Sequence, residues 1–201
     1  MEEWVWRKII DELAELSYGG RLTPSFFGEP LLDKRLPKLI RYARKKLDCR
    51  IHIATNGDYL TKKLFLRLIK SGADFFRVTQ YDEKPKRRIE KLVEEYPGYI
   101  WYLHHRTDTK QLRDRYGFIL KHKSNKQIPC SQPVSRLVIN WEGDIVLCCS
   151  DFYATHRFGN VKNEKIWTIW NNTEHLKIQQ LLWKGERSKI EPCKYCDTQI
   201  L

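Results

Sequence analysis

The chain has 201 residues, 41% of them hydrophobic and seven of them tryptophan, enough for one large domain or one and a half small ones around a sizeable core. It carries a formal net charge of +12 and opens Met1-Glu2-Glu3-Trp4-Val5, without the basic start, apolar middle and cleavage site of a secretory signal, and no stretch approaches a membrane span. The expected compartment is the cytoplasm, where six cysteines read as metal ligands rather than disulfides, and no membrane partner is expected.

In chain order, Trp6, Ile9, Ile10, Leu13 and Leu16 recur at helical spacing and Gly19-Gly20 follows, which predicts a helix over residues 2 to 17. A strand is expected near Thr23 to Phe27. Leu36, Leu39, Ile40 and Ala43 mark the next helix, and Arg50-Ile51-His52-Ile53-Ala54 the next strand, with Cys49 at the junction reading as a small core residue. Thr61 can cap a helix carrying Phe65, Leu68 and Ile69, which Gly72 ends before a strand at Asp74 to Val78. A further round places Ile89, Leu92 and Val93 on a helix, Pro97-Gly98 in a turn and Tyr99 to His104 in a strand. Strands recurring about every 25 residues with helices between them indicate an α/β fold of parallel βα units.

Such units place ligands at the carboxyl ends of their strands. Those ends read Phe26-Phe27-Gly28-Glu29-Pro30-Leu31-Leu32, Ala54-Thr55-Asn56-Gly57-Asp58-Tyr59-Leu60-Thr61 and Val78-Thr79-Gln80-Tyr81-Asp82. Glycine admits a ligand close to the backbone, and the Glu29 carboxylate and Asn56 amide offer polar contacts; taken singly, these are turn chemistry. His104-His105-Arg106 reads as alternating side chains that straddle a strand end. The basic runs Arg44-Lys45-Lys46, Lys84-Pro85-Lys86-Arg87-Arg88 and Lys121-His122-Lys123-Ser124-Asn125-Lys126 read as solvated faces, because none sits on a motif with interleaved stacking aromatics.

The last third holds Cys130, twelve residues, Gly143, four residues, Cys148, and later Cys193-Lys-Tyr-Cys196. Four soft thiolates suit an iron–sulfur cluster or a tetrahedral zinc, and the spacing does not choose between them. A tight turn in Cys193-x-x-Cys196 sets both sulfurs on one side of the backbone. Residues 137 to 147 form two β-rich stretches pivoting on Glu142-Gly143, a hairpin that returns Cys148 toward Cys130. Cys149 points to the opposite strand face from Cys148. Ile166, Trp167, Ile169 and Trp170 read as one packed helix face, His156 as a minor alternative ligand, and Asp151 as either a support for the cysteines or a turn residue.

Taken together, Gly28-Glu29-Pro30-Leu31-Leu32, Thr55-Asn56-Gly57 with Leu60-Thr61, the cysteine pattern, Phe158-Gly159-Asn160-Val161 and Ile166-Trp167-Thr168-Ile169-Trp170 resemble the radical S-adenosylmethionine enzymes that carry a C-terminal SPASM or shorter twitch domain. The resemblance implies an incomplete parallel (β/α) barrel over residues 1–125 and a cysteine-rich SPASM-like domain over residues 126–201. It implies that Gly28, Glu29 and Pro30 hold the amino group of S-adenosylmethionine, that Thr55, Asn56 and Gly57 lie beside this cofactor, and that Cys130, Cys148, Cys193 and Cys196 bind one auxiliary four-iron, four-sulfur cluster. The implied chemistry is reductive cleavage of S-adenosylmethionine to a radical that abstracts hydrogen from a peptide or small-molecule substrate.

The chain departs from the family in having no Cys-x3-Cys-x2-Cys triad, the motif for the radical-generating cluster, and in placing Phe27 where glycine is frequent. The expectation is a fragment or degenerate member that retains the auxiliary cluster, with its first strand presenting an edge to a protein partner. The competing expectation is a non-enzymatic, basic zinc-binding module that meets nucleic acid or a protein.

Overall fold

Parallel βα units fill the first half of the chain, and a small antiparallel sheet flanked by helices fills the end. The computed structural model describes residues 1–82, 86–103 and 127–196. They form two units, one of residues 6 to 103 and the other of residues 127 to 196 with residues 1 to 5. Among the described residues no helix is long and apolar enough to cross a membrane.

The first helix, α1 (Glu3–Glu15), buries Ile9, Ile10 and Leu13 as the periodicity requires. Its end differs from the sequence expectation: Ser17, not glycine, takes the left-handed position at φ 52°. The Tyr18 N–H bonds the Leu13 carbonyl at 2.9 Å and the Ser17 N–H that of Ala14 at 3.0 Å, a Schellman closure completed before Gly19.

Strand β1 is only Arg21–Leu22, ahead of the expected Thr23 to Phe27. Pro24 has no N–H for a ladder, the Ser25 N–H turns back to the Thr23 carbonyl at 2.8 Å, and Phe26 and Phe27 meet each other with ring centroids 4.1 Å apart. Helix α2 (Leu36–Lys46), β2 (Arg50–Thr55), α3 (Lys62–Ser71), β3 (Phe75–Thr79), α4 (Arg87–Glu95) and β4 (Ile100–Leu103) follow close to their predicted places. The four strands form one sheet in the order β1-β2-β3-β4, all parallel, with Leu22 opposite Ile51, Ile53 opposite Phe76 and Phe76 opposite Ile100. Among the described residues β1 is an end strand. Alternation buries Ile51, Ile53, Phe76 and Val78 against Ile10, Ile40, Phe65, Leu68 and Ile89 of the helices. Cys49 is buried, as expected of a core residue.

The second unit contains α5 (Gln132–Ser135), β5 (Val138–Ile139), β6 (Asp144–Val146), β7 (Arg157–Asn160), α6 (Ile166–Trp170) and α7 (Thr173–Trp183). Strands β5 and β6 form the expected hairpin, and β7 adds a third antiparallel strand that periodicity did not predict. Gly143 supplies the positive φ of 97°, and the Asn140 amide oxygen accepts from the N–H groups of Glu142 and Asp144, each at 2.9 Å. The helix face at Ile166–Trp170 is narrower than expected: Ile166 and Ile169 are buried, whereas Trp167 is 60% exposed.

Gly72 closes α3 at φ 110°, and a Cβ there would stand 2.7 Å from Cγ of Arg44, whose guanidinium donates to the Gly72 and Cys49 carbonyls. Gly72→Ala is therefore expected to cost at least the left-handed penalty of about 1–2 kcal/mol, read as a lower midpoint in urea unfolding.

Candidate functional site

Two separate groups of residues carry the chemistry. The first lies at the carboxyl ends of β1 and β2, where Gly28-Glu29-Pro30 and Thr55-Asn56-Gly57 are brought together by one carboxylate. Glu29 Oε1 accepts from the Leu31 N–H at 3.0 Å and from Thr55 Oγ1 at 2.7 Å, while Oε2 accepts from the Asn56 N–H at 2.9 Å. Thr55 Oγ1 in turn accepts from the Gly57 N–H at 3.0 Å. A carboxylate offers about four acceptor sites, so three internal donors occupy most of them. Glu29 thus clasps two loops.

The glycines differ in their reason. Gly28, at φ 120°, has open space where a Cβ would stand, so it is required for backbone conformation alone. At Gly57, with φ 81°, a Cβ would also stand 2.8 Å from Val78 Cγ1, so the loop runs hard against β3.

Sequence reasoning missed the other half of this loop's support. The Lys86 ammonium, its side chain only 10% exposed, donates to the Asn56 carbonyl at 2.7 Å and pairs with Asp58, and Arg88 donates to the Gly57 carbonyl at 2.7 Å and also to that of Asp58. Both belong to a run that had read as solvated charge. The only signal was their nearness to a strand end, which the surrounding cations hid. His104-His105-Arg106 and the run Lys121 to Lys126 lie outside the described residues.

The second group lies wholly in the second unit. Cys130 precedes α5 and donates its N–H to the Leu182 carbonyl at 2.9 Å. Cys148 follows β6, and its sulfur accepts the Ser150 N–H at 3.3 Å. Cys193 begins a short 3-10 turn, Cys193–Tyr195, closed by the Cys196 N–H on the Cys193 carbonyl at 3.1 Å. Burial pushes the Cys148 thiol up to about 12, opposed by the Ser150 N–H and reinforced by the charges of Cys149, Cys196 and Cys130. Burial likewise raises Cys193, reinforced by Cys148, Cys196 and Cys130 and opposed by Arg187. Cys148 and Cys193 therefore each sit within electrostatic reach of the other three candidate cysteines.

The same four do not crowd onto one point. Among the described residues no three His, Cys, Asp or Glu side chains converge closely enough to hold a single metal ion. Zinc held at a Zn–S distance of about 2.3 Å would draw its sulfurs to within about 3.8 Å of each other. A multi-iron cluster is several atoms across and holds its cysteines further apart. Four buried or half-buried thiols that a bound group would stabilise as thiolates are a donor set that fits an iron–sulfur cluster.

The neighbours of the cysteines resolve the remaining alternatives. Cys149 directs its thiol toward Gln132 Oε1 at 3.8 Å. Asp151 is a buried turn staple: its carboxylate accepts from the N–H groups of Thr155 at 2.8 Å and His156 at 3.1 Å. The His156 Nε2 lies 2.5 Å from the Glu191 carbonyl, which commits it to backbone beside Cys193. Another residue unseen in the sequence is Arg187, 2% exposed, which spans the chain before Cys130 and the carbonyl of Cys196.

Comparison with known proteins covers the segments that hold both groups. Residues 130–197 match SPASM, an iron-sulfur cluster-binding domain. An S-adenosyl-L-methionine-dependent 2-deoxy-scyllo-inosamine dehydrogenase of Niallia circulans is 28% identical over 204 residues, covering 98% of this chain and 80% of that protein. The structure of BtrN in complex with AdoMet and 2-DOIA superposes with a TM-score of 0.86 at 27% identity, and an open conformation of BtrN with 0.80, each over 98% of this chain and 80% of the other. The structure of anSMEcpe with AdoMet and a Kp18Cys peptide gives 0.58 at 13% identity, over 98% of this chain and 80% of that one, and shares the fold alone. The parallel sheet is that of a partial (β/α) barrel, the cysteine-rich segment matches an iron–sulfur cluster-binding domain, and the chain is similar over nearly its whole length to S-adenosylmethionine-dependent enzymes of the radical type.

Proposed function

We propose that this chain is an S-adenosylmethionine-dependent oxidoreductase component that holds one auxiliary four-iron, four-sulfur cluster on Cys130, Cys148, Cys193 and Cys196. The observation that carries the reading is the match of residues 130–197 to an iron–sulfur cluster-binding domain, within which the buried Cys148 and Cys193 each feel the charges of the other candidate cysteines. Residues 126–201 are the cluster domain and residues 1–125 the cofactor-binding barrel. When bound, S-adenosylmethionine supplies hydrogen-abstracting power once a radical-generating cluster reduces it, and the auxiliary cluster supplies a redox centre.

The chain's own residues bind and orient. Glu29 fixes the distance between the two cofactor loops, leaving the backbone of Gly28, Glu29 and Pro30 to meet the cofactor's amino group, with Thr55, Asn56 and Gly57 beside it. Lys86 and Arg88 hold the second loop from the side of α4. The Ser150 N–H supports Cys148 as a thiolate. The family's Cys-x3-Cys-x2-Cys triad does not occur among the 201 residues.

The substrate is a small hydroxyl-bearing molecule rather than a peptide, since the dehydrogenase at 28% identity is named for 2-deoxy-scyllo-inosamine and the peptide-bound structure shares only the fold. A reducing compartment, the cytoplasm, suits six free cysteines.

Anaerobic production and metal analysis test the cluster. About four irons with matching acid-labile sulfide per chain are expected, lost on Cys148→Ser or Cys193→Ser and retained on Cys149→Ser. One zinc without sulfide would overturn the reading in favour of a zinc module. Glu29→Gln replaces one acceptor oxygen with a donor facing Thr55 or Asn56, with an expected loss of about 1–3 kcal/mol in urea unfolding and weaker S-adenosylmethionine binding by calorimetry.

A further inference from the structure

Arg187 opens a short 3-10 turn, Arg187–Lys189, between α7 and Cys193, and is among the largest fully buried side chains of the chain. Its guanidinium does not act locally. Nε donates to the Ile128 carbonyl at 2.9 Å, Nη2 to the Pro129 carbonyl at 3.1 Å and Nη1 to the Cys196 carbonyl at 3.4 Å. The first two acceptors lie immediately before Cys130, and the third belongs to Cys196 itself. One planar fork therefore spans the two arms that carry the first and last cysteines of the set, arms that the intervening sheet and helices separate along the chain.

Nearby backbone keeps the fork in register. The Cys130 N–H bonds the Leu182 carbonyl, the Gly185 N–H shares that carbonyl at 3.1 Å, and the Arg187 N–H bonds the Gly185 carbonyl at 2.8 Å. Gly185 passes so close to the first arm that a Cβ would stand 3.0 Å from the Gln127 carbonyl oxygen. The end of α7, the Cys130 arm and Arg187 are thus one packed assembly.

A guanidinium taken out of water is costly unless anionic charge and hydrogen bonds compensate it. Four thiolates around a four-iron, four-sulfur core leave a net negative centre, which becomes more negative by one unit when it accepts an electron. A fixed cation close by stabilises the reduced state more than the oxidised one. Lysine could supply that charge but not the three-way fork.

We propose that Arg187 is a positioning residue of the auxiliary cluster, its fork setting the separation of the Cys130 and Cys196 arms and its charge raising the cluster's reduction potential. This rests on the cluster assignment above, and the test separates the two. Wild type, Arg187→Lys and Arg187→Gln are prepared anaerobically, assayed for iron and sulfide, titrated with dithionite under EPR, and challenged with an iron chelator. A wild type without iron and sulfide defeats the cluster assignment. Given a loaded wild type, Arg187→Gln is expected to disfavour one-electron reduction roughly tenfold, about 59 mV toward negative potential. Arg187→Lys is expected to hold the wild-type potential while losing iron to the chelator several times faster. An unchanged potential in the Gln variant, or wild-type iron retention in the Lys variant, overturns the role given to Arg187. Should the Gln variant fail to fold, the Lys variant alone decides: it must combine an unshifted potential with faster iron loss.

Discussion

In the function proposed above, four sulfurs drawn from both ends of a long segment have to surround one centre, and contacts of the second unit serve that requirement. Burial alone opposes it, because a desolvated thiol resists becoming the thiolate that binds metal. The backbone answers locally. The Ser150 N–H points at Cys148, the Asp151 carboxylate staples the chain beyond it through Thr155 and His156, and the Cys193–Tyr195 turn sets two sulfurs one turn apart. The hairpin of β5 and β6 and the guanidinium of Arg187 then close the distance that sequence separation opens. Each contact is modest by itself, and their convergence on the cysteines gives them a common purpose.

The first unit meets a different demand with a related device. Parallel strands end in loops with no direct partner of their own, and two such loops must keep a fixed gap if a cofactor is to fit between them. Glu29 supplies the tie by accepting hydrogen bonds from both loops, and Lys86 and Arg88 brace the second loop through its carbonyls. Charged groups bonded to backbone hold position better than neutral pairs, because ionised partners make hydrogen bonds roughly twice as strong. The site is therefore built from residues whose side chains are spent on the protein itself.

Much of this was legible in the sequence, and the misses have physical causes. Helices α2 to α4 and strands β2 to β4 were readable because each buries one face of a simple period, with Thr61 and Gly72 marking the ends of α3. The Gly143 turn was readable because a positive φ restricts residue choice so strongly. Strand β1 was misplaced because Phe26 and Phe27 look strand-forming while Pro24 removes the ladder, and periodicity weighs side chains rather than N–H groups. Strand β7 has too few residues to display a period. Lys86, Arg88 and Arg187 escaped notice for one reason: charged side chains read as solvent-facing until the carbonyls they serve are seen.

The relation between core and cluster follows from where the apolar side chains lie. Small metallodomains that lack a core fold only with their metal. Here Ile145, Val146, Leu147, Phe158, Val161, Ile166, Ile169, Ile178 and Leu182 are all buried, and His175 packs tilted against Phe158 with centroids 4.4 Å apart while its ring bonds the Trp170 carbonyl at 2.8 Å. That core joins β6, β7, α6 and α7; of the proposed set only Cys193 is buried as they are, while Cys130, Cys148 and Cys196 are half-buried. The cysteine arms depend instead on polar ties, the fork of Arg187 and the staple of Asp151. The sheet and helices can therefore form first and present arms already near their final separation, so binding iron has less chain entropy to overcome than in a domain folded by its metal.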